Sequence, residues 1–421
     1  MHDDYSPKRN DATMIITRPL SDGIYCLGAS DWRNDRFENL FPLPNGLSYN
    51  SYLIRDEKIA ILDTVDASVR REYIDNLLGL LDGASPDYLV INHMEPDHCA
   101  CILDLVERFP EMILVGNRKT MIFFEQFYGV SFPDRYRFVK DGDVLDLGRH
   151  KLRTLIMPMV HWPEVTATFE ERTGTLFSAD AFGSFTPVTG NIFLDEIDDH
   201  AAYFAEARRY YANIIGMYGP QVAHAIKKLT ALPISTIAPL HGLISRTPAD
   251  VEEFVRHYQQ WSTYTPELEG VLICVGSMYG NTERAMQLLA ARLADAGVRN
   301  IATREISKTD LSYVIGDCFK YSHIVLAAPT YNFDLFPRMA HLLDDFRRLH
   351  LSHRRLFLVG NHTWSSHAVK KMTAALEGLR DMTMVTDPVD ILSSLSPDTE
   401  AALERAARAI ADDLAARRAS H

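Results

Sequence analysis

The last third of the chain alternates apolar runs with amphipathic stretches so regularly that few folds can accommodate it. "VLICVG" (271–276) has the continuous hydrophobicity of a strand buried on both faces, and "RAMQLLAARLADAG" (284–297) reads as an amphipathic helix stopped by a glycine. Further strands are predicted at "HIVLAAP" (323–329), "RLFLVG" (355–360) and "MTMVTDPV" (382–389), with helical stretches between them. This rhythm, held over about 150 residues, predicts a doubly wound parallel sheet.

At 421 residues the chain is too long for one ordinary core, so two domains are expected. The change of character falls at the polar, Pro/Gly-bearing "WSTYTPELEG" (261–270), which suits a linker and divides the chain into 1–265 and 266–421. The first part is mixed. "SYLIRDEKIAILDTV" predicts two strands joined by a charged turn, "REYIDNLLGLLDG" a helix, and "DYLVI" a strand, in a layered α/β arrangement without strict alternation.

A formal charge of −13 argues against a nucleic-acid partner, since neutralising phosphates requires clustered Lys and Arg. It leaves an acidic surface, suited to a basic or neutral partner or simply to solubility. The N-terminal "MHDDYSPKRNDATMII" has no apolar segment of the secretory type, and no apolar run reaches the roughly 20 residues that span a bilayer. Five scattered cysteines without a C-x-x-C pair suit a reducing compartment, so a cytoplasmic protein is expected. They also supply no four-cysteine iron or zinc module.

"NHMEPDHCAC" (92–101) places His93, Glu95, Asp97 and His98 between the strand "DYLVI" and the helix-like "CILDLVERF". A strand-to-helix turn can aim side chains at these spacings toward one point, whereas a helix would scatter them. Three later strand ends offer further ligand types: His161 in "MPMVHWPEVT", Asp180 in "GTLFSADAFG" and His241 in "STIAPLHGLISR". Singly, the two histidines also read as hydrogen-bonded core residues, and Asp180 as a helix cap.

H-x-E-x-D-H followed by "HWPE", "SADAFG" and "LHG" resembles the metallo-β-lactamase superfamily and, within it, the flavodiiron proteins; the upstream "GASDWRNDRFENLFPLPNGLSYNSYLI" is similar too. Hydrolases of the superfamily usually carry H-x-H-x-D-H and bind zinc; here Glu95 replaces the second histidine. The seven candidates comprise four imidazoles and three carboxylates without a thiolate. That set suits iron or manganese, and by ligand type zinc remains compatible. The resemblance implies one iron on His93, Glu95 and His161, a second on Asp97, His98 and His241, and Asp180 bridging them. It implies an αββα sandwich for the first domain.

In the second domain "VGSMYGNTERAM" joins the first strand to its helix. Ser277, Tyr279, Gly280, Asn281 and Thr282 can wrap a phosphate with hydroxyls and backbone N–H groups, or form a plain capping turn. The loop has no Lys or Arg and is not a triphosphate-binding G-x-x-x-x-G-K-[ST]. Neutral donors fit the phosphate monoester of FMN. "PTYNFDLFP" (329–337) and "GNHTWSSHAVK" (360–370) follow the next two strands, where such sheets bind ligands. Together the three loops resemble flavodoxin. The resemblance makes FMN contacts of Ser277, Met278, Tyr279, Gly280, Asn281 and Thr282; of Pro329, Thr330, Tyr331, Asn332 and Phe333; and of Asn361, His362, Thr363, Trp364 and Ser365. Trp364 would stack on the isoalloxazine, with Tyr331 and Asn332 along its pyrimidine side.

The chain departs from the family pattern at Glu164, where Asp is usual, at Leu240, where a small residue is common, and around Trp364. There His362, Thr363, Ser366 and His367 replace a glycine-rich loop. The family resemblance, over roughly residues 15–415, implies an oxidoreductase that reduces O2 to water, NO to N2O, or both. A separate small electron carrier such as rubredoxin would feed it, and a head-to-tail homodimer or a pair of dimers would bring flavin and iron together. The competing expectation is a zinc-dependent hydrolase with an accessory flavodoxin-like domain.

Overall fold

The structure, a computed structural model, describes residues 17–419. The N-terminal stretch read above for a targeting segment lies outside them. Among the described residues no helix is long and apolar enough to cross a membrane. The five cysteines are all free and buried. The chain packs as two compact units, one running to Asp198 and including Leu229–Val251, the other formed by Asp199–Lys228 with the chain from Glu252 onward.

The first unit is built on two large sheets, with smaller two-stranded pairings of Ala29–Asp31 with Leu47–Tyr49 and of Arg36–Phe37 with Phe41–Pro42. The seven-stranded sheet runs in the order Arg18–Ser21, Ile24–Cys26, Tyr52–Arg55, Ile59–Leu62, Tyr88–Val90, Ile113–Gly116 and Tyr136–Phe138. The five-stranded sheet runs Val144–Asp146, Lys151–Ile156, Thr166–Glu170, Thr175–Phe177, Thr236–Ala238. Tyr52, Ile54, Leu62 and Val90 of the first share one buried cluster with Leu152, Phe177 and Ala238 of the second. Burial of these facing apolar sides is what pairs the sheets. The Tyr52 and Phe177 rings meet at 4.9 Å, and the Tyr52 hydroxyl donates to the Pro239 carbonyl at 2.6 Å, fixing the strand end that leads to His241. Helices Arg70–Leu81, Ile102–Arg108 and Arg118–Tyr128 are threaded among the strands of the larger sheet. This is the metallo-β-lactamase-like α/β architecture.

The second unit is the flavodoxin-like doubly wound sheet. Parallel strands Ile301–Glu305, Leu268–Val275, Tyr321–Tyr331 and Arg354–His362 stand in that order, so chain order reverses beside Leu268–Val275. Such a reversal opens a crevice at the strands' carboxyl ends. Val271, Ile273 and Val275 pack with Val325, Phe357 and Val359 against helices Asn281–Asp295 and Pro397–Ala419. Leu272 and Cys274, on the opposite face, are equally buried, which explains the unbroken apolar run. Arg354 is wholly buried and donates to the carbonyls of Tyr264, Cys318, Phe319, Ser352 and His353, tying the connecting segment and the end of helix Leu311–Lys320 to the sheet.

Two details differ from the sequence reading. The stretch 382–389 is not one strand: Met382–Met384 and Val389–Leu392 pair separately along Arg354–His362, interrupted before Pro388, which lacks the N–H a continuous ladder needs. The stretch 261–270 is mostly ordered structure. Helix Pro248–Ser262 carries the fully buried Trp261, whose indole N–H donates to Glu267 at 2.6 Å, and strand Leu268–Val275 follows at once. Strand Ile301–Glu305 has only partial burial and carries charge, so no apolar run marks it.

Candidate metal centre and flavin pocket

Each predicted metal ligand lies just beyond a strand. His93 follows Tyr88–Val90, and Glu95 precedes the one-turn helix Pro96–Cys99 that carries Asp97 and His98. His161, Asp180 and His241 follow Lys151–Ile156, Thr175–Phe177 and Thr236–Ala238. The buried Asp63 carboxylate accepts the Asn92 and His93 backbone N–H groups at 2.7 and 3.1 Å, holding the start of the ligand loop. Asp63, Met159, Ala179 and Phe182 all adopt left-handed φ values, between 52 and 67°, with no glycine among them. Such conformations cost energy and persist where the surroundings demand a particular side-chain aim.

The structure brings all seven side chains together. His93, Glu95, His161 and Asp180 place ligand atoms within 4.8 Å of one another, and Asp97, His98 and His241 form a second such group. Asp180 faces both: Oδ2 is 3.3 Å from His93 Nε2 and 3.0 Å from His161 Nε2, while Oδ1 is 3.0 Å from His98 Nε2 and 3.8 Å from His241 Nε2. Glu95 Oε2 lies 3.0 Å from His161 Nε2, and Asp97 Oδ2 lies 3.2 Å from His241 Nε2. The far nitrogens of two rings are held by the protein, His93 Nδ1 by Glu164 and His241 Nδ1 by the Ser48 carbonyl, which turns each Nε2 toward the centre.

Buried polar atoms are normally hydrogen-bonded. Here both Asp97 oxygens, Asp180 Oδ1 and His98 Nε2 are buried and have no hydrogen-bond partner among the described residues. Orphaned atoms converging on shared points fit metal ions, and carboxylates with imidazoles fit iron. The neighbouring Cys99 thiol turns to the Met94 carbonyl at 3.4 Å, and burial pushes it up to about 12, so no thiolate joins the set.

The charges interlock. Burial lowers the His98 and His161 pKa values, but carboxylate partners outweigh it and raise both to about 9. Asp97 and Asp180 do this for His98, and Asp180 and Glu95 for His161. Burial raises Asp180, yet the surrounding imidazoles hold it well below the usual carboxylate range. Such a set favours positive charge at its middle.

In the second unit the three predicted loops line one cavity of about 460 Å³. Every predicted contact except Gly280 lines it, and Ser393 joins them. Gly280 shapes the loop: at φ +89° it opens helix Asn281–Asp295, where a side chain would be strained. Ser277 Oγ accepts the Gly280 N–H at 3.1 Å. Asn332 and Phe333 have left-handed φ values of 49 and 60°, which turn the middle loop back on itself. Trp364 is 83% exposed and Tyr279 92%, large aromatic faces that an apolar ring system would cover. The residues that replace a glycine-rich loop brace it. His362 Nδ1 lies 3.1 Å from Asp390 Oδ1, Ser366 also bonds Asp390, and Ser365 Oγ lies 2.8 Å from His367 Nε2.

Sequence reasoning passed over two participants. Ser393 reaches the cavity by a left-handed φ of 65° after the broken edge strand. Glu38 sits with Asn39 at a hairpin tip, both left-handed, and its carboxyl hydrogen-bonds Glu95; burial and then Glu95 push it up to about 7. Neither lies in a motif; two polar residues inside the otherwise apolar "FENLFPLP" were the only signal for Glu38.

Residues 47–242 match the family described as ODP family beta lactamase, and residues 273–391 match flavodoxin. The anaerobic nitric oxide reductase flavorubredoxin of Aeromonas hydrophila is 30% identical over 85% of this chain and 72% of its own length. Its Escherichia coli namesake is also 30% identical, over 85% and 74%. Among solved structures, rubredoxin oxygen:oxidoreductase from Desulfovibrio gigas superposes with a TM-score of 0.89 at 27% identity, covering 96% of this chain and 100% of that one. The flavodiiron protein of Giardia intestinalis gives 0.88 at 25% identity, over 95% and 97%.

Proposed function

The chain belongs to the flavodiiron protein family, and on that footing we propose that it is an oxidoreductase reducing NO to N2O, O2 to water, or both, with electrons passing through FMN to a non-haem iron pair. The observation that carries this reading is the convergence of seven ligand-type side chains with orphaned buried atoms at their centre. His93, Glu95 and His161 would hold one ion, Asp97, His98 and His241 the other, and the two oxygens of Asp180 are aimed at both groups.

Bound iron would supply redox-active open positions and bound FMN the electrons. The chain's own residues set the conditions. Phe37 and Trp162 stand edge-on to His241 and His93, at 5.4 and 5.3 Å, walling the centre with apolar surface. In the 266–421 domain the Ser277–Thr282 loop offers neutral donors to the flavin phosphate, and Tyr331, Asn332 and Trp364 border the ring.

The hydrolase alternative is weaker on the ligand chemistry. Glu95 stands where zinc hydrolases of this superfamily carry an imidazole, and the cavity built by the flavodoxin-like loops has no part in hydrolysis. The protein takes its electrons from a redox partner. We assign that role to rubredoxin or another small carrier, and the catalytic assembly to a head-to-tail homodimer or a pair of such dimers. Five free cysteines suit the cytoplasm.

Metal and flavin analysis of purified protein, with parallel turnover on O2 and NO under one donor system, tests the proposal. About two irons and one FMN per chain are expected; stoichiometric zinc after iron-replete expression, without redox turnover, would refute it.

A further inference from the structure

Glu164 stands where Asp is usual, and its surroundings give the carboxylate at this position a role. Its Oε1 lies 2.7 Å from His93 Nδ1 and accepts the Met94 N–H at 3.0 Å, while its backbone carbonyl accepts Asn117 Nδ2 at 2.5 Å. The side chain is wholly buried, and Oε2 has no hydrogen-bond partner among the described residues. On the other side of the centre, His241 Nδ1 meets the neutral Ser48 carbonyl at 2.8 Å.

The two ligand groups are otherwise closely matched. Each has two imidazoles and one carboxylate of its own, with Asp180 aimed at both. Glu38 also touches the His93 group, but through a hydrogen bond to the Glu95 carboxylate and not from behind an imidazole. Behind an imidazole, a buried carboxylate makes the far nitrogen a stronger electron donor than an amide carbonyl does.

We propose that Glu164 is a positioning residue that makes the two metal positions electronically unequal, the one served by His93 being the more electron-rich and the first to be oxidised. The inference rests on the iron-pair reading above. Failure of that reading would show separately, as absence of iron from the wild-type protein.

Two variants test it in the full-length, iron- and FMN-loaded protein. Glu164→Gln keeps an acceptor for His93 but removes the charge; Glu164→Asp keeps the charge on a shorter arm. Potentiometric titration followed by electron paramagnetic resonance reads each iron. In Glu164→Gln the lower of the two iron potentials should rise and the other stay. A tenfold loss of preference for the ferric form corresponds to about 59 mV for a one-electron couple. Glu164→Asp should stay near wild type. Unchanged potentials in Glu164→Gln would overturn the proposal, as would equal shifts in both variants, which would mark geometry rather than charge. Should Glu164→Gln fail to fold or load, the wild type and Glu164→Asp decide. In both, a half-oxidised pair with its ferric iron on the His93 side supports the proposal; ferric iron on the His241 side, or no preference, overturns it.

Discussion

Asp180 Oδ1 and His98 Nε2 lie 3.0 Å apart, both fully buried, and neither has a hydrogen-bond partner among the described residues. Two strong polar atoms held this close without bonding are arranged as ligands of a shared ion would be, and the other oxygen of Asp180 faces His161 Nε2 at 3.0 Å. Asp180→Ala should therefore deplete metal from both groups, whereas His241→Ala should weaken mainly one. Metal analysis should find iron falling toward none in the first variant and toward half in the second, with turnover down roughly a hundredfold or more in Asp180→Ala. Full iron and turnover in Asp180→Ala would remove its bridging role.

Trp364 projects from a braced loop, so removing its ring should not collapse the cavity. Trp364→Ala should weaken FMN binding by about 1 kcal/mol, a severalfold change in Kd, and leave metal content intact. Fluorescence titration of the flavin-depleted protein reads the Kd. An unaltered Kd and flavin potential would show that the indole does not contact the ring.

The proposed head-to-tail assembly makes a distinctive prediction. Subunits carrying Asp180→Ala and subunits carrying Trp364→Ala with Thr282→Ala should each be nearly inactive. Mixed and reassembled, they should regain activity, because a sound flavin of one subunit then faces a sound metal centre of the other. Normal turnover by a strictly monomeric preparation would refute the assembly.

His323 gives the second unit an acid-side weakness. It is buried in strand Tyr321–Tyr331, with Nε2 3.0 Å from Asp413, and burial holds its pKa below the ordinary 6.5 despite that carboxylate. Between the folded and unfolded values the unfolded chain binds the extra proton, so stability rises with pH there. The contribution is complete above 6.5 and is lost as pH falls through the depressed folded value. Thermal melts followed by flavin release on either side of that pH should show a lower Tm on the acid side, and His323→Gln should shrink the difference. An equal difference in the variant would exonerate His323.

Much of this was legible in sequence for a specific reason. Ligand chemistry admits few residue types, and a strand end is visible as an apolar run that stops, so His93, His161, Asp180 and His241 stood out. The double aim of Asp180 came only with the family resemblance; its own stretch of sequence does not show it, because it depends on a left-handed Ala179 and on a loop distant in sequence. Glu38 was invisible for the same reason: its contact with Glu95 spans dozens of positions and follows from a strained hairpin tip. Among the strands, buried ones were plain, whereas the edge strand Ile301–Glu305 had no apolar signature, and Pro388 divided a run that looked continuous.

Helix His200–Tyr210 belongs with residues that come much later in the chain. Arg208 Nε donates to the Gly316 carbonyl at 2.9 Å and Asn213 Nδ2 to the Ser312 carbonyl at 3.1 Å, both on helix Leu311–Lys320. During synthesis that partner does not yet exist when residues 199–228 leave the ribosome. At ordinary translation rates they wait about five to twenty seconds for it. Throughout that interval the side of the helix carrying Arg208 has no native surface to meet, while Leu229–Val251, emerging in the meantime, can already complete the first unit. A nascent chain that has emerged to a point between residues 262 and 311 should therefore combine a finished metal-binding sheet pair with a helix uncovered along its Arg208 side, the state in which a chaperone would be most needed.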